Sequence, residues 1–156
     1  MNMFILLISL VFTPLIAAET ESLKPFLTDY CTSYPEGTRE RPELWKLCCE
    51  EHDLYFWGGG SQADRKTADL RLKSCVESTG AVTQARLMYA AVTIGGASPI
   101  RFKTKQWGHA FENRARYLSL SEAETAQLLH HLDLYNQDSD PGLRKSFSDQ
   151  LNSRLD

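Results

Sequence analysis

Leu44, Cys48, His52 and Tyr55 recur at the spacing of one helical face, with Pro42 suited to a first helical turn and Gly58-Gly59-Gly60 to stop the run. The pattern predicts helix one over about 42–57. Ala68, Leu72, Cys75 and Val76 mark the inward face of a second helix over about 62–78, ending before Gly80. A third, over about 81–94, rests on Ala85, Met88, Ala91 and Val92 and is expected to stop at Gly95-Gly96. Ser98-Pro99 opens a loop before a short helical stretch from Trp107 to Tyr117. Ser121 with Glu124 reads as a capping box for a helix reaching Tyr135, and Asp140 before Pro141 caps a last one that frays toward Asp156. The sequence shows no internal repeat and no low-complexity tract. The fold class read from it is mainly α.

The most apolar segment lies at the N-terminus. Phe4 to Ile16 is interrupted only by Ser9, Thr13 and Pro14 and is followed by Ala17, Ala18 and then Glu19. This reads as the h-region and cleavage site of a secretory signal peptide, residues 1–18, although no Lys or Arg precedes it. An uncleaved anchor is the alternative. No later stretch is long and apolar enough to span a bilayer; the nearest, Leu87 to Ala97, has eleven residues. The expected organisation is a signal peptide, a main domain over 19–118 and appended C-terminal helices over 119–156. The expected location is secreted or periplasmic, with no transmembrane segment after signal removal.

Charge narrows the partners. With 17 basic and 20 acidic side chains the net charge is −3, which disfavours broad attraction to nucleic acid or an anionic membrane. Arg101, Lys103, Lys105, Arg114 and Arg116 stand against Glu112 in one stretch, read as a solvated face rather than a phosphate site. Export changes the meaning of Cys31, Cys48, Cys49 and Cys75: an even count in an oxidising compartment favours two disulfides. A bond between adjacent Cys48 and Cys49 would be strained, because on a helix their side chains diverge by about 100°. Each is therefore expected to staple helix one to a different element, at roughly 3 kcal/mol per bridge. Either assignment of the two to Cys31 and Cys75 meets that condition.

The chemistry concentrates in Cys48-Cys49-Glu50-Glu51-His52-Asp53. His52 and Asp53, about 100° apart on a helix, can set a base beside a hard-metal ligand in one cleft. Asp69 lies six residues before Cys75 on the second helix. If Cys75 is tied to helix one, Asp69 is carried past His52, where it can bond one ring nitrogen and leave the other as general base. His109, His130 and His131 lack such context and read as surface or satisfied polar residues. Trp45, Phe56, Trp57 and Trp107 read as core, although aromatics at a cleft mouth would also suit an acyl-chain entrance.

Over residues 29–76 the chain resembles the secreted phospholipase A2 superfamily. The Cys48-Cys49-x-x-His52-Asp53 run matches that family's Cys-Cys-x-x-His-Asp helix, and Asp69 with Cys75 matches its second helix. The resemblance implies a disulfide-stapled, phospholipase A2-like core of two antiparallel helices. It implies His52 as general base, Asp69 as its orienting partner and Asp53 as the carboxylate ligand of Ca²⁺. It pairs Cys31 with Cys49 and Cys48 with Cys75. Tyr30-Cys31-Thr32 falls at the family's calcium loop, so carbonyls of Tyr30, Thr32 and Gly37 are the candidate remaining ligands. The implied substrate is a phospholipid or membrane interface.

The sequence also departs from the family pattern. The segment Thr32 to Thr38 holds a single Gly, and Cys31 to Cys49 is two residues longer than the animal spacing. Phe56 occupies the place of the tyrosine that supports the dyad aspartate; Tyr55, one residue earlier, is the candidate substitute. The missing further cysteines imply a small, divergent, bacterial branch. Three function classes follow: a calcium-dependent phospholipid esterase; a non-catalytic scaffold that binds lipid or protein; and a metal-binding protein using Cys31, Cys48, Cys49 and His52. Divergence of Cys48 and Cys49 on a helix disfavours the third.

Overall fold

Five α-helices and no strand make up the regular structure among the described residues: α1 (Lys46–Gly58), α2 (Gln62–Ser78), α3 (Val82–Ala97), α4 (Glu122–Tyr135) and α5 (Pro141–Asn152). The computed structural model describes residues 23–97, 106–135 and 140–153. The expected signal peptide 1–18, the Ser98-Pro99 loop with Arg101, Lys103 and Lys105, and the fraying end at Asp156 lie outside the described residues. A mainly α class is what the chain adopts.

α1 begins four residues later than Pro42 suggests, because the preceding backbone is committed elsewhere. Thr38 N–H bonds the Arg41 carbonyl at 2.8 Å, and Trp45 N–H bonds that of Glu36 at 2.9 Å. The Trp45 indole also donates to the Pro35 carbonyl at 2.6 Å, so Trp45 closes the turn and the helix starts after it. α2 opens on a full capping box, with Ser61 and Asp64 satisfying each other's backbone N–H groups. Cys48, early in α1, is bonded to Cys75, late in α2, while His52 and Asp69 meet at mid-helix, so the two helices run antiparallel. α3 packs on α2 and continues through Gly95 and Gly96. Glycine weakens a helix by about 1 kcal/mol without forbidding it.

The helical stretch expected from Trp107 to Tyr117 is instead a chain of turns. Its donors are spent on α1: Gly108 N–H bonds the Phe56 carbonyl at 2.7 Å and Ala110 N–H bonds that of Trp57 at 3.0 Å. These carbonyls belong to the last turn of α1, which has no helical partners of its own. The crossing demands glycine. Gly59 has φ 78°, and a Cβ there would stand 2.5 Å from the Gly108 Cα.

Two buried clusters flank the site. One joins Cys31, Trp45, Cys48, Cys49, Leu72, Val76, Ala85 and Met88. The other joins Leu54 to Trp57 of α1 with Trp107 and Phe111, and also with Leu128 and Leu132 of α4 and Phe147 and Leu151 of α5. Among the described residues, the helices after residue 119 therefore share a core with α1. Both C-terminal helices carry the expected caps: Ser121 with Glu124, and Asp140 accepting from Gly142 and Leu143. Among the described residues no helix is long and apolar enough to cross a membrane.

His131 of α4 is buried against the Trp57 ring, with centroids 5.2 Å apart. Burial, reinforced by neighbouring His130, holds it below its usual value of 6.5, so the fold favours its neutral form. The unfolded chain takes up a proton there as pH falls through 6.5, and stability falls with it. Urea midpoints should be lower at about pH 5.5 than at about pH 7.5, and the difference should shrink in His131→Gln.

Candidate functional site

The site begins with the two neighbouring cysteines of α1. Cys48 is bonded to Cys75 of α2, and Cys49 to Cys31 in the preceding loop. This is the pairing implied by the family resemblance. It leaves no free cysteine, which removes the thiolates that the Cys/His metal-binding reading requires. Among the described residues no group of three or more His, Cys, Asp or Glu side chains is arranged to hold a metal ion.

One turn beyond Cys48, His52 is 8 % exposed and its Nε2 lies 2.9 Å from Oδ1 of Asp69, itself 3 % exposed. A carboxylate can only accept, so Nε2 carries the hydrogen and Nδ1 is the ring nitrogen not engaged by Asp69. Among the described residues Nδ1 has no hydrogen-bond partner. The Phe56 ring packs against the imidazole, centroids 4.7 Å apart, and limits its rotation. Phe56 thus braces the ring from one turn further along α1.

Asp69 is held from its other side by Arg65, whose Nη2 lies 3.4 Å from Oδ2. Sequence reading passes over Arg65, although an Arg four residues before an Asp on one helix is a recognisable pairing signal. Tyr55, the candidate support, is placed differently: its ring packs edge-on against Phe147 of α5 at 5.1 Å, with the Arg71 guanidinium over it. Tyr55 contributes to the core shared with the C-terminal helices, and Asp69 is bonded by His52 and Arg65.

His52 and Asp53 open onto a cavity of about 710 Å³. Its walls come from Leu27 to Tyr34, from Phe56 and Leu72, and from Met88, Ala91 and Val92 of α3. Tyr30 and Thr32 line the same space as Asp53, so the structure gathers these three. Gly37 stands apart, outside the cavity wall. A Cβ on it would lie 2.0 Å from the Arg41 carbonyl oxygen, so its glycine serves the turn before α1.

The loop beside Asp53 is bent without glycine. Tyr30, Thr32 and Ser33 have φ of 55°, 38° and 61°, each costing about 1 kcal/mol or more unless the surroundings impose it. Here they do: the Cys31–Cys49 bond fixes the centre, Thr32 Oγ1 donates to Asp29 Oδ1 at 2.8 Å, and Tyr34 N–H bonds the Cys31 carbonyl at 3.2 Å. Thr28 links the loop to the helix. Its hydroxyl donates to Asp53 Oδ2 at 2.7 Å and accepts from Tyr30 N–H at 2.9 Å.

His109 also lines the cavity, where sequence gave no reason to place it. Its Nδ1 lies 3.0 Å from the Gln106 carbonyl, so it donates there. Burial lowers its pKa; the Gln106 carbonyl works in the opposite direction and Lys24 in the same one, and the ring is neutral at neutral pH. His130 is exposed on α4.

Compared with protein-family models, with curated proteins and with solved structures, the chain matches none.

The dyad carries a stability prediction. Removing the Asp69 carboxylate leaves the Arg65 guanidinium buried opposite a gap, so Asp69→Ala should lose about 3 kcal/mol in urea unfolding. Asp69→Asn, which keeps the volume and a hydrogen-bond acceptor, should lose less.

Proposed function

We propose that the protein is a phospholipase A2-like ester hydrolase, with His52 as general base and calcium as its metal. The observation that carries this reading is the buried His52–Asp69 pair opening, beside Asp53, onto a largely apolar cavity. Leu27, 77 % exposed, lines that cavity, and α3 presents Leu87 and Ile94 to solvent on one row with the cavity residue Ala91. An apolar entrance beside a charged dyad suits an acyl chain with an ester near its end.

In the proposed reaction His52 Nδ1 takes a proton from water as the water oxygen attacks the ester carbonyl. Asp69 holds the imidazole in the productive tautomer and stabilises it once protonated. When the tetrahedral species collapses, His52 returns the proton to the leaving alkoxide, giving a fatty acid and a lysophospholipid. No covalent intermediate is required. The residues fit a hard cation in kind: Asp53 supplies carboxylate oxygen, the left-handed loop at Tyr30 and Thr32 lines the same space and has carbonyl oxygens to offer, and the neighbouring Cys31 and Cys49 are tied up in a disulfide. Held there, Ca²⁺ would supply positive charge for the developing oxyanion.

The reading extends to location. Two disulfides suit an oxidising compartment, and residues 1–18 are proposed as a secretory signal. A second reading, a lipid-binding scaffold without catalysis, draws on the Thr28 hydroxyl that occupies Asp53 Oδ2.

Purified protein with calcium should release fatty acid from phospholipid vesicles, and chelation should abolish this reversibly. His52→Gln and Asp53→Asn should lose at least about 100-fold, Asp69→Asn less, and His130→Gln nothing. Vesicle binding without fatty-acid release, in calcium-loaded protein, selects the scaffold reading. Calorimetric calcium titration should show one site in wild type and none in Asp53→Asn; an unchanged isotherm moves the metal elsewhere.

A further inference from the structure

Arg65 is the most heavily committed charged side chain near the dyad. It is 7 % exposed, and its Nη2 reaches Asp69 Oδ2 at 3.4 Å and the Val92 and Thr93 carbonyls at 3.0 and 3.1 Å. Its Nη1 reaches the Tyr117 hydroxyl at 3.0 Å, and its guanidinium lies over the Phe56 ring at 5.8 Å. Phe56 in turn packs on His52. One planar group therefore touches the aspartate of the dyad, the ring that braces the histidine, and the last turns of α3, whose Met88, Ala91 and Val92 wall the cavity.

The cost of this arrangement argues that it is kept for orientation. A buried ion pair is commonly no more stabilising than apolar side chains of similar volume. Here Arg65 Nε is also buried without a hydrogen-bond partner. A residue needed only to fill space between α2 and α3 would leave no such donor unsatisfied. What the guanidinium supplies is direction: bonded at Oδ2, the Asp69 carboxylate cannot swing, and its Oδ1 stays aimed at His52 Nε2.

We infer that Arg65 is a positioning residue, which locks the His52–Asp69 pair in one geometry and joins it to the α3 wall of the cavity. The functional consequence rests on the reading of His52 as general base. The geometric claim does not, and the test separates them.

Nitrogen-15 spectra of the imidazole report the tautomer directly, with or without hydrolysis. Wild type should show His52 as a single neutral tautomer protonated at Nε2. Arg65→Gln should show a mixture of tautomers, with kcat for vesicle hydrolysis reduced about tenfold and KM unchanged within about twofold. Arg65→Lys keeps the charge but not the fork, and should recover only part of both effects. A well-folded Arg65→Gln that retains the single tautomer overturns the inference. If the substitution prevents folding, wild type decides: the Arg65 Nη protons should exchange with solvent far more slowly than those of exposed arginines, and equal exchange also overturns it. Tautomer mixing in Arg65→Gln from a wild type that hydrolyses nothing would uphold the positioning role and reject the esterase.

Discussion

Two covalent bonds leave one helix at adjacent positions, and the site hangs from that constraint. Cys48 and Cys49 diverge by about 100° around α1, so one reaches Cys75 on α2 while the other reaches Cys31 in the loop. Each bridge therefore fixes a different neighbour relative to the same six residues of backbone, Cys48 to Asp53. The α2 bridge sets the register that brings Asp69 to His52. The loop bridge holds a glycine-poor turn in left-handed backbone beside Asp53, a conformation that a free segment would abandon. In the chain-entropy account both bonds act by restricting the unfolded chain, about 3 kcal/mol each. Their positional effect is separate from that energy.

Burial then sharpens what the bridges arrange. His52, Asp69 and Arg65 are all below a tenth exposed, where hydrogen bonds are stronger and unpaired charge is costly. Each member therefore restricts the next: the carboxylate orients the ring, the guanidinium orients the carboxylate, and α3 carbonyls with the Tyr117 hydroxyl fix the guanidinium. Phe56 closes the group from one side and belongs to the core that α4 and α5 complete. The C-terminal helices thus stand behind the site without lining it, holding the second half of α1 through Tyr55, Trp57, Leu128 and Phe147. The three tryptophans extend the same logic to the loops. The indole N–H groups of Trp45, Trp57 and Trp107 donate to the carbonyls of Pro35, Lys24 and Gly60, pinning the irregular segments around α1.

Much of this was legible from local pattern. The extent of α2 and the starts of α4 and α5 follow from inward spacing and from caps that act within four residues, Asp140 and Ser121 among them. The meeting of His52 with Asp69 followed from helix periodicity once Cys75 was tied to α1. Local pattern failed where distant backbone competed for the same donors. Trp45 and Thr38 consumed the N–H and carbonyl groups that Pro42 would have started into a helix, and Gly108 and Ala110 capped α1 instead of coiling. Gly37, a candidate metal ligand by its place after Cys31, stands outside the cavity wall, and the close approach of the Arg41 carbonyl accounts for its glycine.

By itself, then, the sequence determined a mainly α chain, the two directions of stapling from α1, and a histidine that an aspartate on the next helix could orient. Those are consequences of periodicity and of bond geometry within a helix, which act over a few residues. Only the tertiary structure decided that Tyr55 packs against Phe147, that Thr28 holds Asp53, and that His109 joins the cavity wall. Which side chains meet across 10 or 50 positions depends on how whole helices pack, and no local spacing encodes that.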